Sequence, residues 1–345
     1  MMGQQLSPEF VTLAAEYPQW MLCRVVLQEK GQYRIASSLG QQQAFVSGKL
    51  QYDAETPSDY PAVGDYVMAD WNEAGSAVIH RVLPRKSVIL RKAAGTGKSE
   101  QVVAANIDTV FLCMSLNNDF NLRRMERYLT IAWDSGAAPV VVLTKADLCS
   151  DLEEKRAAVE VISMGADLIV TTAMEQDGYC QILPYLNNGK TVAFVGSSGV
   201  GKSTLINRLL GEERLETDGL RNDDKGHHTT THRELLTLPC GAMVIDTPGM
   251  RELGMWDSAE GLEKAFSDIE LLATACRFKN CTHTNEPGCA VNAALADGTL
   301  SEERWQSYQN LRTENAYAED AESYLAAKEK KFKEISKTNK LNHKR

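Results

Sequence analysis

"FVGSSGVGKSTLINRLL", residues 194–210, decides how the chain is read. Gly196 to Ser203 satisfies the spacing G-x-x-x-x-G-K-[ST] of a phosphate-binding loop. The apolar "TVAFV" (191–195) before it reads as a strand, and "STLINRLL" after it as a helix. In such a loop the backbone N–H groups of Gly196, Ser197, Ser198, Gly199, Val200 and Gly201 turn inward around phosphate oxygens. The following helix presents its positive end to the same anion. Lys202 is expected to reach the β- and γ-phosphates and the Ser203 hydroxyl to ligate Mg²⁺, with Thr204 beside it in the first helical turn. A second Gly-Lys-Ser at 97–99 lacks this context: Lys92 stands where the leading glycine belongs, and no apolar strand immediately precedes it. It reads as a glycine-containing loop between domains.

Two further stretches complete a nucleotide site. In "VIDTPGM" (244–250), Asp246 ends an apolar strand 43 residues after Ser203. That is the place of a carboxylate that holds Mg²⁺ through water, and the Gly249 N–H is then expected to sense a γ-phosphate. In "VVLTKADLCS" (141–150), an apolar run climbs to a Thr-Lys-Ala-Asp turn. Guanine offers N1–H and N2–H₂ as a donor pair, which the Asp147 carboxylate can accept; Lys145 can lay its stem across the base, with Ala146 between them. Thr144 is expected to link this loop to the phosphate loop. About 25 residues on, in "VTTA" (170–173), Thr172 and Ala173 are expected to offer backbone N–H groups to guanine O6. The order is unusual: base reader, second base loop, phosphate loop, then the two switch segments. Loops that converge on one ligand tolerate a cut elsewhere in the chain, so this order reads as a circular permutation.

Water handling is less ordinary. Many GTPases place a Gln directly after the Asp-x-x-Gly turn to orient the attacking water. Here that position is Met250, whose thioether cannot donate a hydrogen bond. "KGHHTTTHREL" (225–235) offers Thr230 as the Mg²⁺ and γ-phosphate contact, with His227 and His228 just before it. A histidine of ordinary pKa can accept or orient a proton near neutrality.

The flanks read as separate units, giving a multidomain chain. Residues 19–88 hold five short β-branched and aromatic runs, "WMLCRVVLQE", "QYRIASS", "QQAFVSG", "GDYVMADWN" and "SAVIHRVLP", punctuated by glycines. Five strands in about 70 residues suit an N-terminal OB-fold β-barrel. Residues 100–256 alternate apolar strands with helical segments, a doubly wound central α/β domain carrying the permuted phosphate-loop site. Residues 257–345 look mostly helical, interrupted by Cys276-x4-Cys281-x-His283-x5-Cys289. Three thiols and one imidazole make a closed tetrahedral zinc set, structural rather than catalytic. The other five cysteines lie in or beside apolar stretches and read as buried thiols.

Composition excludes several classes. Of 345 residues, 43% are hydrophobic and 24% charged, ordinary for a soluble chain. The N-terminal stretch has no basic start followed by an apolar core, and no apolar run spans a bilayer, so the expectation is a cytoplasmic monomer without membrane contact. A net charge of −9 argues against coating nucleic acid over the whole surface. From Lys328 onward, however, eight Lys/Arg stand against two Glu, a tail suited to RNA phosphates.

Together "TKAD", "GSSGVGKSTLIN", "KGHHTTTHREL", "DTPGMRELG" and "CRFKNCTHTNEPGC", in that order, resemble the ribosome small-subunit-dependent GTPases of the RsgA (YjeQ) family. The resemblance covers nearly the full length. It implies an OB-fold, a permuted GTPase domain and a zinc domain, with GTP bound and hydrolysed to GDP on the 30S subunit and its rRNA late in subunit maturation. It also favours His228 over His227 as the catalytic imidazole, acting with Thr230. Thr144 departs from the usual Asn, and one hydroxyl gives fewer tethers to the base loop. A different class of function, an RNA- or ribosome-binding module switched by bound GTP with negligible turnover, predicts no stimulation of hydrolysis by 30S subunits.

Overall fold

The computed structural model describes residues 8–29, 31–73, 75–92, 100–172, 177–215, 233–246 and 259–319. Strands β1 (Met21–Glu29), β2 (Gln32–Ser37), β3 (Gly40–Val46), β4 (Tyr66–Asp70) and β5 (Ala77–Val82) close on one another in the order β1-β2-β3-β5-β4-β1. Neighbours are antiparallel except β3 and β5. Closure leaves the inward side chains of Cys23, Val25, Ile35, Val67 and Ile79 without solvent contact. Burial pushes the Cys23 thiol up to about 12, so it is an inert apolar filler. Between β3 and β4 runs α2 (Gly48–Asp53), capped by Ser47, whose Oγ accepts from the Leu50 N–H. Helix α1 (Pro8–Ala14), outside the span assigned to the barrel from sequence, buries Phe10 flat against Tyr66 with ring centroids 3.9 Å apart.

A separate hairpin, β6 (Val88–Lys92) and β7 (Glu100–Ala105), leads into the central sheet. There the elements run β8 (Thr109–Ser115), α3 (Leu122–Asp134), β9 (Ala138–Thr144), α4 (Leu152–Ile162), β10 (Asp167–Val170), β11 (Thr191–Val195), α5 (Lys202–Leu210), β12 (Arg233–Thr237) and β13 (Met243–Asp246). The strand order is β10-β9-β8-β11-β13-β12, parallel except for β12. Every residue of β8 and β11 is buried, as expected for central strands covered on both faces. A sequence reading keeps the barrel and this sheet apart; the fold joins them. β12 pairs with the far end of β1, Leu27 opposite Glu234 and Gln28 opposite Arg233, giving one continuous eleven-stranded sheet. One edge of β1 is shared: Met21–Arg24 pair with β4, then a bulge between Val25 and Leu27 turns the strand toward β12.

Arg24 sits at this seam with 1% of its surface exposed. It donates to the Gly64 carbonyl (3.3 Å), the Asn106 carbonyl (3.4 Å) and Thr191 Oγ1 (2.7 Å), and lies over the Tyr66 ring. Burial pulls its pKa down, against the opposing influence of Tyr66, Asp108 and Asp65.

The C-terminal part is helical: α6 (Ala259–Ala265), α7 (Ser267–Thr274), α8 (Ala290–Asp297) and α9 (Glu302–Glu319), with the cysteine cluster between α7 and α8. It packs on α3. A Cβ on Gly261 would stand 2.2 Å from the Thr130 carbonyl, so only glycine permits this approach. At the centre lies Glu126 of α3, fully buried, accepting from Arg123 (2.6 Å), Arg304 (2.7 Å) and the Ser307 hydroxyl (2.6 Å). Arg304 forks onto Asp268 as well, at 2.6 and 2.7 Å. Burial works against the Arg304 charge, but Asp268 and Glu126 outweigh it and raise its pKa. Beside them Arg127 and Glu314 pair bidentately at 2.8 Å.

Breaking a buried pair from one side leaves an uncompensated charge. Arg304→Met is expected to cost about 3–5 kcal/mol, read as a lower denaturant midpoint. Replacing both partners, Glu126→Leu with Arg304→Met, is expected to recover part of that loss; an unchanged midpoint in the single variant would show that the pair contributes nothing to stability.

Candidate nucleotide and metal sites

Parallel strands deliver their loops to one edge, and a ligand crevice forms outside the carboxyl ends. The ends of β9, β10, β11 and β13 meet there, and these are the strands whose following loops carry the nucleotide motifs.

After β11 the chain turns through Gly196–Gly201 into α5. Gly196 passes so close to the β8 backbone that a Cβ would stand 2.5 Å from the Cys113 carbonyl. Gly201 adopts φ 96° immediately before α5, a left-handed conformation that a side chain disfavours. Lys202 Nζ donates to the carbonyls of Gly196 and Ser197, 2.7 Å each, which holds the ammonium under the loop. Ser203 and Thr204 lie half-buried in the first turn of α5, while Val200 is fully buried. Ser198 and Gly199 form the outer turn.

Thr144 closes β9 and donates its hydroxyl to the Val200 carbonyl at 2.7 Å, so the base loop and the phosphate loop touch. Lys145 takes a left-handed conformation (φ 59°), which turns the chain into the short helical turn Ala146–Leu148. Asp147 is exposed, and its Oδ1 accepts from the Thr172 hydroxyl at 2.6 Å. Here the structure corrects the sequence reading. The Thr172 N–H, expected to face guanine O6, donates instead to the Gly178 carbonyl at 3.2 Å. The contact Thr172 makes with Asp147 is through its hydroxyl. Asp246 ends β13, whose neighbour in register is β11, with Ile245 opposite Ala193. Ala173, His227, His228, Thr230, Gly249, Met250 and the basic tail from Lys328 lie outside the described residues.

Sequence reasoning missed two residues at this edge. Asp119, in the loop after β8, accepts from the Ser197 hydroxyl at 2.5 Å, and Arg124 of α3 donates to both at 2.8 and 3.0 Å. No local motif announces them, because the contact is made across 78 residues of chain.

The second site is the cysteine cluster. The donor atoms of Cys276, Cys281, His283 and Cys289 lie within 4.8 Å of one another. Cys276 and Cys289 Sγ are 3.9 Å apart, and they stand 3.6 and 3.5 Å from His283 Nδ1. Zinc–ligand bonds of about 2.3 Å to sulfur and about 2.0–2.1 Å to nitrogen, at tetrahedral angles, require edges of about 3.8 and 3.5 Å. The donor set fits zinc. His283 reaches this place only by adopting φ 60°, and its ring meets the edge of Trp305 at 5.7 Å. Cys289 caps α8, its Sγ accepting the Asn292 N–H at 3.4 Å, an outer contact that orients the thiolate. Glu286 stitches the intervening loop through the Thr282 hydroxyl and the Thr282 and Thr284 N–H groups, which hold its pKa down to about 2.

Among the described residues no helix is long and apolar enough to cross a membrane. Residues 82–256 match the family model described as RsgA GTPase. A curated relative from Lactiplantibacillus plantarum, "Small ribosomal subunit biogenesis GTPase RsgA 2", is 53% identical over 86% of this chain and 84% of its own length. One from Oceanobacillus iheyensis, "Small ribosomal subunit biogenesis GTPase RsgA 1", is 45% identical over 93% of each chain. Among solved structures, YjeQ from Thermotoga maritima aligns with a TM-score of 0.63 at 26% identity, covering 84% of this chain and 96% of that one. YloQ, a circularly permuted GTPase, shares the fold with a TM-score of 0.61 at 24% identity over 88% of this chain and 96% of that one. With its loops meeting at one sheet edge in permuted order and its relatives aligned over most of their length, this chain belongs to the RsgA family of circularly permuted GTPases.

Proposed function

We propose that this GTPase acts in the cytoplasm on the 30S ribosomal subunit, binding its rRNA and hydrolysing GTP late in subunit maturation. The relatives named for small ribosomal subunit biogenesis support the partner. The observation that carries the site is the Thr144–Val200 bond, which brings a base reader and a phosphate cradle to one edge of the sheet despite the permuted order.

The roles follow from chemistry. Asp147, oriented by Thr172, accepts from guanine N1–H and N2–H₂; a carboxylate has lone pairs for all three donors. Lys145 covers the base. The loop 196–201 wraps the phosphates with N–H groups, and Lys202 carries positive charge to them. Ser203 and Thr230 would supply the hard oxygen donors that Mg²⁺ takes, with Asp246 holding the ion through water, and the ion would supply positive charge to offset that of the phosphates. Gly249 senses the γ-phosphate. Cys276, Cys281, His283 and Cys289 hold one zinc as a closed structural site. The basic tail and the barrel offer the RNA phosphate contacts that a net charge of −9 otherwise opposes.

Asp147→Asn is expected to weaken GTP binding tenfold or more, since each charge-assisted bond contributes about 1.5–3 kcal/mol. Xanthine nucleotide, which carries an oxygen in place of the N2 amine, is expected to gain. A titration showing an unaltered preference for GTP over XTP would refute the base assignment. Protein purified without chelator is expected to carry about one equivalent of zinc. Cys281→Ala is expected to disrupt the C-terminal helices while nucleotide still binds; metal analysis finding no zinc would sink this reading.

With Met250 in place of Gln, the isolated protein is expected to be a slow GTPase, because phosphoryl-transfer catalysis is mostly positioning. On the subunit, His228 orients the attacking water. His228→Ala is expected to leave GTP and 30S binding nearly intact yet cut subunit-stimulated hydrolysis by roughly 10²–10⁴-fold. His227→Ala serves as the control and is expected to cost much less. Equal losses in the two variants would place the water elsewhere, and absence of any 30S stimulation in the wild type would favour a GTP-switched binding module.

A further inference from the structure

Asp119, Arg124 and Ser197 form a closed triangle. The Ser197 hydroxyl donates to Asp119 Oδ2 at 2.5 Å, and Arg124 Nη1 donates to both Asp119 oxygens at 2.8 Å and to Ser197 Oγ at 3.0 Å. Burial alone would push the Asp119 carboxyl up, but the Ser197 bond and the charges of Arg124 and Lys145 hold it below the usual carboxylate range. The loop bearing Asp119 is itself braced. Asn117 Oδ1 accepts from the Ser115 hydroxyl (2.8 Å) and the Asp119 N–H (3.1 Å), and Asn121 caps α3 by accepting the Arg124 N–H (3.0 Å).

The other side of Ser197 faces the chemistry. Its carbonyl and that of Gly196 take Lys202 Nζ at 2.7 Å each. An ammonium has three donors, so two carbonyls fix where it stands. One residue thus carries the triangle on its side chain and the phosphate-binding lysine on its backbone.

The geometry points to Asp119 and Arg124 as positioning residues for GTP hydrolysis: through the Ser197 side chain they hold its peptide, and through that peptide the Lys202 ammonium. The inference rests on reading 196–203 as the phosphate loop. Neither residue need touch GTP. An exposed Arg–Asp pair by itself contributes little, so the effect depends on the hydroxyl that links the pair to the loop. Misplacing a charge by even 1 Å can slow a reaction by up to about 10²-fold.

The test uses full-length protein, with single-turnover GTP hydrolysis measured beside GDP and GTP titrations. Asp119→Ala, Arg124→Ala and Ser197→Ala are each expected to lower the hydrolysis rate about tenfold while nucleotide affinity changes by no more than about threefold. Because the residues act as one unit, Asp119→Ala with Ser197→Ala is expected to cost no more than either alone. Asp119→Asn, which keeps an acceptor for the hydroxyl, is expected to recover part of the rate; Arg127→Gln, whose side chain pairs with Glu314, is expected to behave as wild type. Multiplying losses in the double variant, or wild-type hydrolysis by Asp119→Ala, would overturn the proposal. Lys202→Ala with undiminished hydrolysis would instead overturn the phosphate-loop reading on which it stands.

Discussion

A buried hydroxyl bond, Thr144 to the Val200 carbonyl, joins the two loops of the candidate nucleotide site. It spans 56 residues of sequence and joins the loop after β9 to the loop after β11. A site assembled from strand ends depends on which strands are neighbours, not on the order in which they are made. β8 separates β9 from β11 by one strand, so both loops open onto the same crevice. The permutation leaves that adjacency untouched. What it changes is which segment follows the site: β13 leads through residues 247–258 into the helices that grip α3.

Charge is buried at both seams between units, and in each case with enough partners to satisfy it. Arg24 spends its donors on carbonyls and Thr191 at the barrel junction. Glu126 gathers Arg123, Arg304 and Ser307 under the C-terminal helices. Apolar contact alone tolerates sliding, whereas a buried ion fits one arrangement. At the C-terminal seam α3 faces two ways, with Arg124 toward the 196–201 loop and Glu126 and Arg127 toward α9.

Much of this was legible in the sequence where one short segment carries the whole signal. The glycine spacing of 196–203, the Thr-Lys-Ala-Asp turn and the Cys₃His set each encode chemistry within 14 residues or fewer. The barrel was legible through β-branched runs and glycine turns. The Asp119–Arg124–Ser197 triangle was not, because a single Asp or Arg in a loop or helix carries no periodicity or motif. From sequence the Thr172 N–H reads as free to face a base; that it donates to the Gly178 carbonyl, six residues on, was not legible, because no local motif marks that contact. The β1–β12 pairing was likewise invisible, since two strand edges in different units find each other only in three dimensions.

That pairing has a mechanical meaning. Main-chain ladders resist shear and bending within their plane, and the Arg233 guanidinium adds cross-bracing by reaching the Gln101 and Gln28 side chains and the Val102 carbonyl. The barrel is thus mounted on the central sheet as a flange on a beam rather than as a ball on a string. Torque applied to the barrel arrives at β12, whose first residue, Arg233, follows the 225–232 segment in the sequence. A load on the barrel therefore has a stiff path into the central sheet, through β12 to β13, without any swing of one unit against another.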